Sequence, residues 1–318
     1  MKKNFKKICC VSLVVLVIVA VVAVLYWKNI LIYKHNSSLI TKKQLEHQQT
    51  LNTQTILKKI KESKTEKNLE KKTAIIVEPR RCEALPYVLS NFFENLDETW
   101  SFIIYCGNLN KDFVDNFLNK SKGNRRVNVI NLNVKNLPID KYNDLFLSQF
   151  FYDNIKTEIF LVFQTDTLIL KKTNYFINYF YKFDYCGAPW SKKTVEDWKN
   201  FLPITELNDN SYVGNGGLSL RKKSKMLEIL KDYNECTNVG LFKTEDFVFS
   251  GLLTNNVIIN KPSFDEAMFF SVETVFSPYS FGIHKLWEYM DKNQYNHIIQ
   301  YHPDVKTIEN LYKKINKK

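Results

Sequence analysis

The segment that decides the fold is Phe160-Leu-Val-Phe-Gln164-Thr165-Asp166-Thr167-Leu-Ile-Leu170. It contains most of the continuous apolar run Ile159–Phe163, which is typical of a strand buried on both faces at the centre of a sheet. The run leads into a carboxylate, Asp166. Because ligands of open α/β sheets bind outside the carboxyl ends of the strands, we expect Asp166 to face a ligand and to suit Mg²⁺ or Mn²⁺. The alternative is an Asp that only forms a turn after the strand.

Strands and helices alternate on the amino-terminal side of this segment. Apolar runs predict strands at Ala74–Val77, Phe102–Cys106 and Val127–Leu132, and helical patterns predict helices at Ala84–Leu96, Asp112–Leu118 and Tyr142–Ile155. This alternation indicates an α/β fold with a mostly parallel central sheet flanked by helices. Since no interdomain linker follows residue 73, we expect one α/β domain over residues 73–305 and a basic tail over residues 306–318.

The net charge of +12 does not indicate a nucleic-acid partner. The excess of Lys and Arg is concentrated in the amino-terminal flank, in residues 58–72 and in residues 306–318, which is typical of solvated tails. No zinc-finger spacing or RNA-binding motif accompanies it. The sequence therefore predicts no nucleic-acid binding.

An uncharged run from Ile8 to Tyr26 predicts a transmembrane helix, since its 19 residues match one bilayer crossing. Four lysines precede it, which favours a cytoplasmic tail over residues 1–7 and a signal-anchor over residues 8–26. The expected topology is a single-pass type II membrane protein whose catalytic domain is lumenal (Golgi- or ER-like) or extracytoplasmic. A cleaved signal peptide is the alternative.

Residues 27–72 predict a polar stem, because their apolar residues are too sparse to build a core. Four cysteines follow the anchor in the chain, and in an oxidising compartment one or two disulfides would be possible in any of three pairings. These cysteines are Cys82, Cys106, Cys186 and Cys236.

A glycine-rich segment, Gly214–Arg221, is the second candidate site. Three of the nine glycines in the chain fall within four residues, just before an alternating strand. Glycine permits positive φ and close backbone approach, which suits a loop packed against a sugar or a phosphate. A tight turn into the strand is the alternative.

Two further candidates follow in the chain. Glu245 and Asp246 come just after Thr244, so they are either first-turn acidic residues of a helix or a general base near an acceptor hydroxyl. His284 follows Gly282 closely and is either a surface residue or a second metal ligand beside Asp166.

The order of these motifs carries a resemblance. It comprises the Gln164–Asp166 strand exit, Gly187-Ala188-Pro189-Trp190, the Gly214–Arg221 segment, the Glu245-Asp246 pair and Gly282-Ile283-His284-Lys285. Together these motifs resemble the GT-A-fold (Rossmann-type) glycosyltransferases. More specifically, the chain resembles a poorly characterised family of proposed glycosyltransferases known only as a domain of unknown function. The resemblance spans residues 73–285, about two-thirds of the chain.

The resemblance implies a nucleotide-diphosphate-sugar donor, with a UDP-sugar favoured, and a Mn²⁺ or Mg²⁺ cofactor. The implied metal ligands are Asp166 and His284, and the implied donor-binding residues are Glu78, Arg80, Arg81, Gln164 and Asp166. Gln164 stands where such enzymes usually carry the first Asp of a DxD motif. It adds no anionic ligand, so the protein's own affinity for the metal is expected to be weak.

The resemblance also implies an acceptor site for a glycan or for a protein- or lipid-linked hydroxyl. Its implied residues are Asn215, Gly216 and Gly217, with Trp190 as a stacking platform. The implied catalytic pair is Asp246 and Glu245, with Asp246 favoured as the base. Neither an inverting nor a retaining course is selected.

Three other functions compete with a glycosyltransferase. A non-catalytic carbohydrate-binding module would explain the aromatic residues and the glycines but not a paired Asp and His. A degenerate, membrane-tethered structural α/β domain would explain Gln164. A nucleotidyltransferase would need two or more clustered carboxylates, and the strand end at Asp166 supplies one.

Overall fold

The computed structural model describes residues 27–28, 48–65, 69–200, 209–235, 244–253 and 256–315. Packing divides the chain into two units, residues 1–57 and 58–318, and the described residues of the first unit are helical. The predicted anchor over residues 8–26 lies outside the described residues. Within those residues, no helix combines the length and the apolar character that a bilayer crossing requires.

Nine strands lie in the described part of the second unit. They are β1 (Lys72–Val77), β2 (Trp100–Cys106), β3 (Val127–Asn131), β4 (Ile159–Phe163), β5 (Thr167–Ile169), β6 (Tyr185–Cys186), β7 (Leu218–Lys222), β8 (Ser271–Val272) and β9 (Gly282–His284). Six of them form the central sheet in the order β3-β2-β1-β4-β7-β6. β1 to β4 are parallel, and only β7 runs against its neighbours. The sheet is therefore mostly parallel, as the sequence predicted.

Helices cover this sheet. They span Ala84–Asn95, Lys111–Ser121, Ile139–Phe146, Gln149–Asp153, Ile177–Phe180, Lys192–Trp198, Lys223–Glu235, Glu245–Phe249, Phe264–Ala267, Lys292–Tyr301 and Asp304–Ile315. The single helix predicted at Tyr142–Ile155 is two helices. The break falls at Ser148, whose backbone is extended and whose hydroxyl donates to the Leu145 carbonyl oxygen at 2.6 Å. Such local side-chain bonds compete with helical pairing.

The core explains why β4 is apolar without alternation. Successive side chains of a strand point to opposite faces of the sheet. On one face Phe163 stacks on Phe92 of the first helix, with ring centroids 3.9 Å apart. On the other face Phe160 meets Phe151 edge-on at 6.2 Å. Because helices cover both faces, every residue of β4 is buried.

Residues 304–315, most of which the sequence assigned to a basic tail, are helical. Tyr87 of the first helix donates its hydroxyl hydrogen to Asp304 Oδ1 at 2.9 Å. Glu309 is buried on the same helix and lies 2.8 Å from the Lys306 ammonium. This part of the chain therefore belongs to the folded unit.

Three of the four cysteines beyond the predicted anchor are buried free thiols, namely Cys82, Cys106 and Cys186. Burial raises the pKa of each of them, which keeps the thiols protonated and unreactive. Cys236 lies outside the described residues. No disulfide therefore forms among these three.

Candidate active site

A second, three-stranded sheet brings distant ionisable residues into one row. Its order is β5-β9-β8, with β5 antiparallel and β8 parallel to β9. Asp166 directly precedes β5, His284 ends β9, and Glu273 directly follows β8. The register pairs Val272 with Ile283, so the next residues, Glu273 and His284, lie side by side. The sheet thereby brings Asp166 and His284 together, and it adds Glu273.

The imidazole of His284 lies between two carboxylates. Its Nε2 is 3.5 Å from Asp166 Oδ1, and its Nδ1 is 3.0 Å from Glu273 Oε1. All three side chains are at most 9% exposed. Burial opposes a charged imidazole, but the two carboxylates outweigh it and raise the pKa of His284 to about 10.

Several polar atoms of this cluster lack a hydrogen-bond partner among the described residues. They are Asp166 Oδ1, Glu273 Oε2 and His284 Nδ1. The Nδ1–Oε1 contact has the distance of a hydrogen bond without its alignment. Buried polar atoms are costly when unpaired, so such a cluster indicates a place for a ligand.

The cluster fits a divalent cation in part. Asp166 Oδ1 is a buried, unpartnered carboxylate oxygen close to an imidazole nitrogen, and Mn²⁺ accepts both ligand types. Within the described ranges, no group of three or more His, Cys, Asp or Glu side chains has the geometry of a metal site. The chain would therefore supply two ligands, and substrate and water would supply the others.

A cavity of about 450 Å³ opens beside Asp166. It holds four predicted donor-binding residues, Glu78, Arg80, Gln164 and Asp166, and it adds Asn136, Tyr142, Lys285 and Tyr312. The fifth predicted residue, Arg81, does not line it, since its guanidinium lies over the Phe113 ring at 5.3 Å. The cavity thus sits at the carboxyl ends of β1 and β4, where the sequence placed the donor.

Two of the predicted donor residues are held by neighbouring side chains. The Glu78 carboxylate accepts hydrogen bonds from the Arg80 backbone N–H, Nε and Nη2, each at 2.9 Å. Arg80 remains half exposed at the cavity. Gln164 donates from Nε2 to the Tyr142 hydroxyl at 3.0 Å, so its amide braces the cavity wall. Glu78 therefore orients Arg80.

The glycine segment, Gly214–Arg221, packs closely between two charged clusters, one around His284 and one around Glu245. A Cβ atom at Gly217 would overlap the His284 ring, and a Cβ atom at Gly216 would overlap the Glu245 carboxylate. Neither glycine needs a positive φ. Asn215 is buried, donates from Nδ2 to Glu273 Oε1 at 2.9 Å and accepts from the Gly217 N–H at 3.0 Å. Close approach is therefore the reason for glycine here.

Lys261 supports the same segment from behind. It is buried and donates to the carbonyl oxygens of Val213 and Ser250, at 2.9 and 2.5 Å. Burial lowers its pKa to about 7. Lys261 thereby ties the start of the glycine segment to the end of the Glu245–Phe249 helix.

Trp190 is not the stacking platform that the sequence analysis expected. Only 3% of the residue is exposed, and its ring packs edge-on against Trp198 at 5.1 Å and Phe247 at 5.7 Å. A Cβ atom at Gly214 would overlap the same ring. Burial of so large an apolar surface is favourable. The ring packs directly against Gly214, at the start of the glycine segment.

Glu245 and Asp246 have different surroundings. Glu245 is buried and pairs with Arg221, with Nη1–Oε2 at 2.7 Å and Nη2–Oε1 at 3.2 Å. Asp246 is half-buried and has no such cation among the described residues, although its Oδ1 accepts from the Phe247 N–H at 2.9 Å. Burial and the charges of Glu245 and Glu273 raise the pKa of Asp246 to about 8. Asp246 is therefore the better candidate for a proton acceptor.

A larger cavity, of about 980 Å³, lies at the other end of the central sheet, by the amino ends of β1 to β4. Lys122, Arg126 and Lys156 are among its lining residues, and none of the predicted site residues is. Volume alone would favour this cavity as the functional site. The converging ionisable side chains favour the smaller one.

Sequence reasoning missed Glu273, Lys285 and Tyr312. Glu273 had a signal, because the short apolar run that precedes it ends in a carboxylate, just as β4 leads to Asp166. Lys285 directly follows His284 and adopts a positive φ of 47°, which only the structure shows. Tyr312 carried no signal, since it reaches the cavity from the carboxyl-terminal helix.

Three solved structures are similar to this chain. HddC from Yersinia pseudotuberculosis is 12% identical with a TM-score of 0.36, over 59% of this chain and 88% of that chain. Mannosyltransferase PcManGT from Pyrobaculum calidifontis, in complex with GDP-Man and Mn²⁺, is 10% identical with a TM-score of 0.35, over 50% and 46%. Galactosyltransferase LgtC, in complex with donor and acceptor sugar analogs, is 16% identical with a TM-score of 0.40, over 57% and 70%. The activities and ligands are those of the matched proteins.

No curated protein matches the chain. A family model described as protein of unknown function (DUF5672) matches residues 126–284. That range contains Asp166, the glycine segment, the Glu245-Asp246 pair, Glu273 and His284, and it agrees with the resemblance to a domain of unknown function. Since the model covers half of the 318 residues, the chain belongs to the DUF5672 family.

Proposed function

We propose that this protein is a glycosyltransferase that moves a sugar from a nucleotide-diphosphate-sugar donor to a hydroxyl acceptor, with the help of a divalent cation. One observation carries the proposal. Asp166 and His284 meet beside a cavity that also holds Arg80, while Asp246 lies beside Gly216, the neighbour of the glycine that abuts His284. Two candidate metal ligands next to a cavity lined by Arg80 and Lys285 suit a diphosphate, and a separate carboxylate suits an acceptor hydroxyl.

On the donor side, Asp166 Oδ1 and His284 Nε2 would hold Mn²⁺ or Mg²⁺. When bound, the cation would stabilise the negative charge that develops on the departing diphosphate. Arg80 and Lys285 line the same cavity and would bind phosphate oxygens directly. Tyr142 and Tyr312 supply aromatic walls of the size that a nucleoside base needs.

On the acceptor side, Asp246 would take the proton from the attacking hydroxyl. A raised pKa makes its carboxylate a stronger base, and a general base is most effective when its pKa lies near the working pH. Glu245 cannot serve in the same way, because Arg221 engages both of its oxygens. Its role would be to fix the start of the helix that carries Asp246.

The test is a panel of nucleotide-diphosphate sugars, beginning with UDP-sugars, offered to the purified full-length protein with Mn²⁺, with Mg²⁺ or with a chelator. We expect metal-dependent release of free nucleotide, and its loss in the Asp166→Asn variant. Binding of free sugars without any donor turnover would instead indicate a carbohydrate-binding module, and no binding of either kind would indicate a structural domain.

The proposed topology is part of the same function. A signal-anchor over residues 8–26 would place the domain in the lumen or outside the cytoplasm, where glycan or protein- or lipid-linked acceptors are found. In sealed microsomes, the domain should resist added protease until detergent is present. Digestion without detergent would reverse the orientation.

A further inference from the structure

We propose that Glu273 is the positioning residue of the candidate metal site. Its carboxylate holds His284 so that Nε2 faces Asp166, and through Asn215 it ties the glycine segment to the same imidazole. This inference rests on the proposed function. It adds a residue that the sequence motifs do not contain.

The sheet register puts Glu273 in this place. β8 and β9 are parallel neighbours, and the residues that follow the Val272–Ile283 pair are Glu273 and His284. β5 pairs with the other side of β9, with Thr167 opposite His284. The imidazole therefore has Asp166 on one side and Glu273 on the other, on three rigidly paired strands.

The contacts of Glu273 join both halves of the site. Its Oε1 lies 3.0 Å from His284 Nδ1 and accepts from Asn215 Nδ2 at 2.9 Å. Asn215 Oδ1 in turn accepts from the Gly217 N–H, and Gly217 abuts the face of the His284 ring. One carboxylate oxygen thus fixes the histidine and the loop that packs against it.

This arrangement selects one nitrogen of the histidine for a ligand. A histidine that binds a metal through one nitrogen commonly gives its other N–H to a carboxylate, which sets the tautomer and the ring orientation. Glu273 faces Nδ1, so Nε2 is the nitrogen left for the cation beside Asp166. The Nδ1–Oε1 contact is short but not aligned, as is common for catalytic hydrogen bonds in ligand-free proteins.

A purely structural role fits the contacts less well. Glu309 is a buried carboxylate with such a role, and its oxygens contact two lysines. Glu273 is equally buried, yet its Oε2 has no partner among the described residues and no lysine or arginine forms an ion pair with it there. A carboxylate kept in that state is better explained by the histidine that it orients.

The experiment measures Mn²⁺ affinity, by counting free Mn²⁺ with electron paramagnetic resonance, in full-length protein with UDP or with GDP. We expect Glu273→Ala to weaken Mn²⁺ binding by about 10- to 100-fold, the usual cost of losing such an outer carboxylate. Glu273→Gln keeps the shape and removes the charge, so an intermediate loss is expected. Glu158→Gln is the control and should leave the affinity unchanged. Glu158 directly precedes β4, at the end of the sheet away from the site, and its carboxylate accepts from the Ser224 N–H.

A cycle with His284→Ala separates positioning from general damage. In that background the Glu273 substitutions should cost little further affinity, because the group that they orient is gone. If the Glu273 substitutions weaken Mn²⁺ binding by the same factor with His284 present and in His284→Ala, the inference is overturned. Wild-type Mn²⁺ affinity in Glu273→Gln overturns it as well. If the wild-type protein fails to bind Mn²⁺ both in the presence of UDP and in the presence of GDP, the proposed function and this inference are overturned together. Normal wild-type binding with unaffected Glu273 variants overturns this inference alone.

Discussion

Two buried charged clusters meet at the glycine segment, and they differ in how completely their polar atoms are paired. Gly216 abuts the Arg221–Glu245 cluster, and Gly217 abuts the His284 cluster. In the first cluster, both Glu245 oxygens accept from Arg221, whose Nε donates to Ser219 Oγ at 2.9 Å. In the second, three polar atoms have no hydrogen-bond partner among the described residues.

This difference separates scaffold from site. The Arg221 guanidinium is fully buried and also lies 5.2 to 5.5 Å from three aromatic rings, those of Phe146, Tyr185 and Phe249. A cluster with every charge paired has nothing left to offer a ligand, and its role is to hold the backbone around it. The His284 cluster keeps atoms that no described residue pairs with, so a ligand can complete it.

The largest expected effect comes from Asp246, which belongs to neither cluster. Asp246→Asn removes the proposed proton acceptor, so turnover should fall by about 10²–10⁴-fold with donor affinity little changed. Steady-state rates and donor titrations would measure this. Asp265→Asn, at an exposed first-turn acid of another helix, is the matched control. Full activity of Asp246→Asn would contradict the assignment.

Breaking the paired cluster should cost stability. Arg221→Met leaves the Glu245 carboxylate buried without its cation, so the free energy of unfolding should fall by about 3–5 kcal/mol. Urea denaturation followed by circular dichroism measures the change. Lys225→Met, which breaks a helix-surface pair with Glu228, should cost about 0–1 kcal/mol. Equal losses in the two variants would show that burial of the Arg221 pair has no special role.

The unpaired cluster should respond through ligand binding. Asp166→Asn should abolish Mn²⁺-dependent nucleotide binding, because it removes the one carboxylate that faces the proposed cation. His284→Ala should weaken that binding by about 10- to 100-fold, at least as much as Glu273→Ala but less than Asp166→Asn, since a neutral imidazole contributes less to a hard ion. Calorimetric titration of UDP with and without Mn²⁺ measures both. Nucleotide binding that ignores the metal and Asp166 would exclude the metal-assisted reaction.

The last expected effect concerns the pH dependence of stability. The pKa of His284 rises from its usual 6.5 to about 10 in the folded protein. A raised pKa stabilises the fold fully below pH 6.5, and the contribution is lost as the pH rises from 6.5 to 10. In metal-free protein, the stability advantage of the wild type over His284→Gln should therefore shrink across that window. A profile that His284→Gln leaves unchanged would show that the imidazole is not charged in the fold.

Local patterns in the sequence predicted the fold well. The β4 strand has the bounds that its apolar run indicated, and the first helix differs from its prediction by one residue, Leu96. Asp166 and His284, which the motif order had placed at opposite ends of the resemblance, lie 3.5 Å apart. The strand and helix predictions succeed because they depend on local patterns. A strand covered on both faces needs a continuous apolar run, and a helix packed on a sheet needs apolar residues at helical spacing.

The sequence by itself therefore determined the α/β fold, the strand that ends before Asp166 and the order of the motifs around it. Only the tertiary structure decided that Trp190 is buried under Gly214, that Arg221 engages Glu245, and that Glu273 faces His284. The physical reason is that a side chain's role depends on which neighbour reaches it. Those neighbours come from strands and helices far apart in the chain, which no local pattern records.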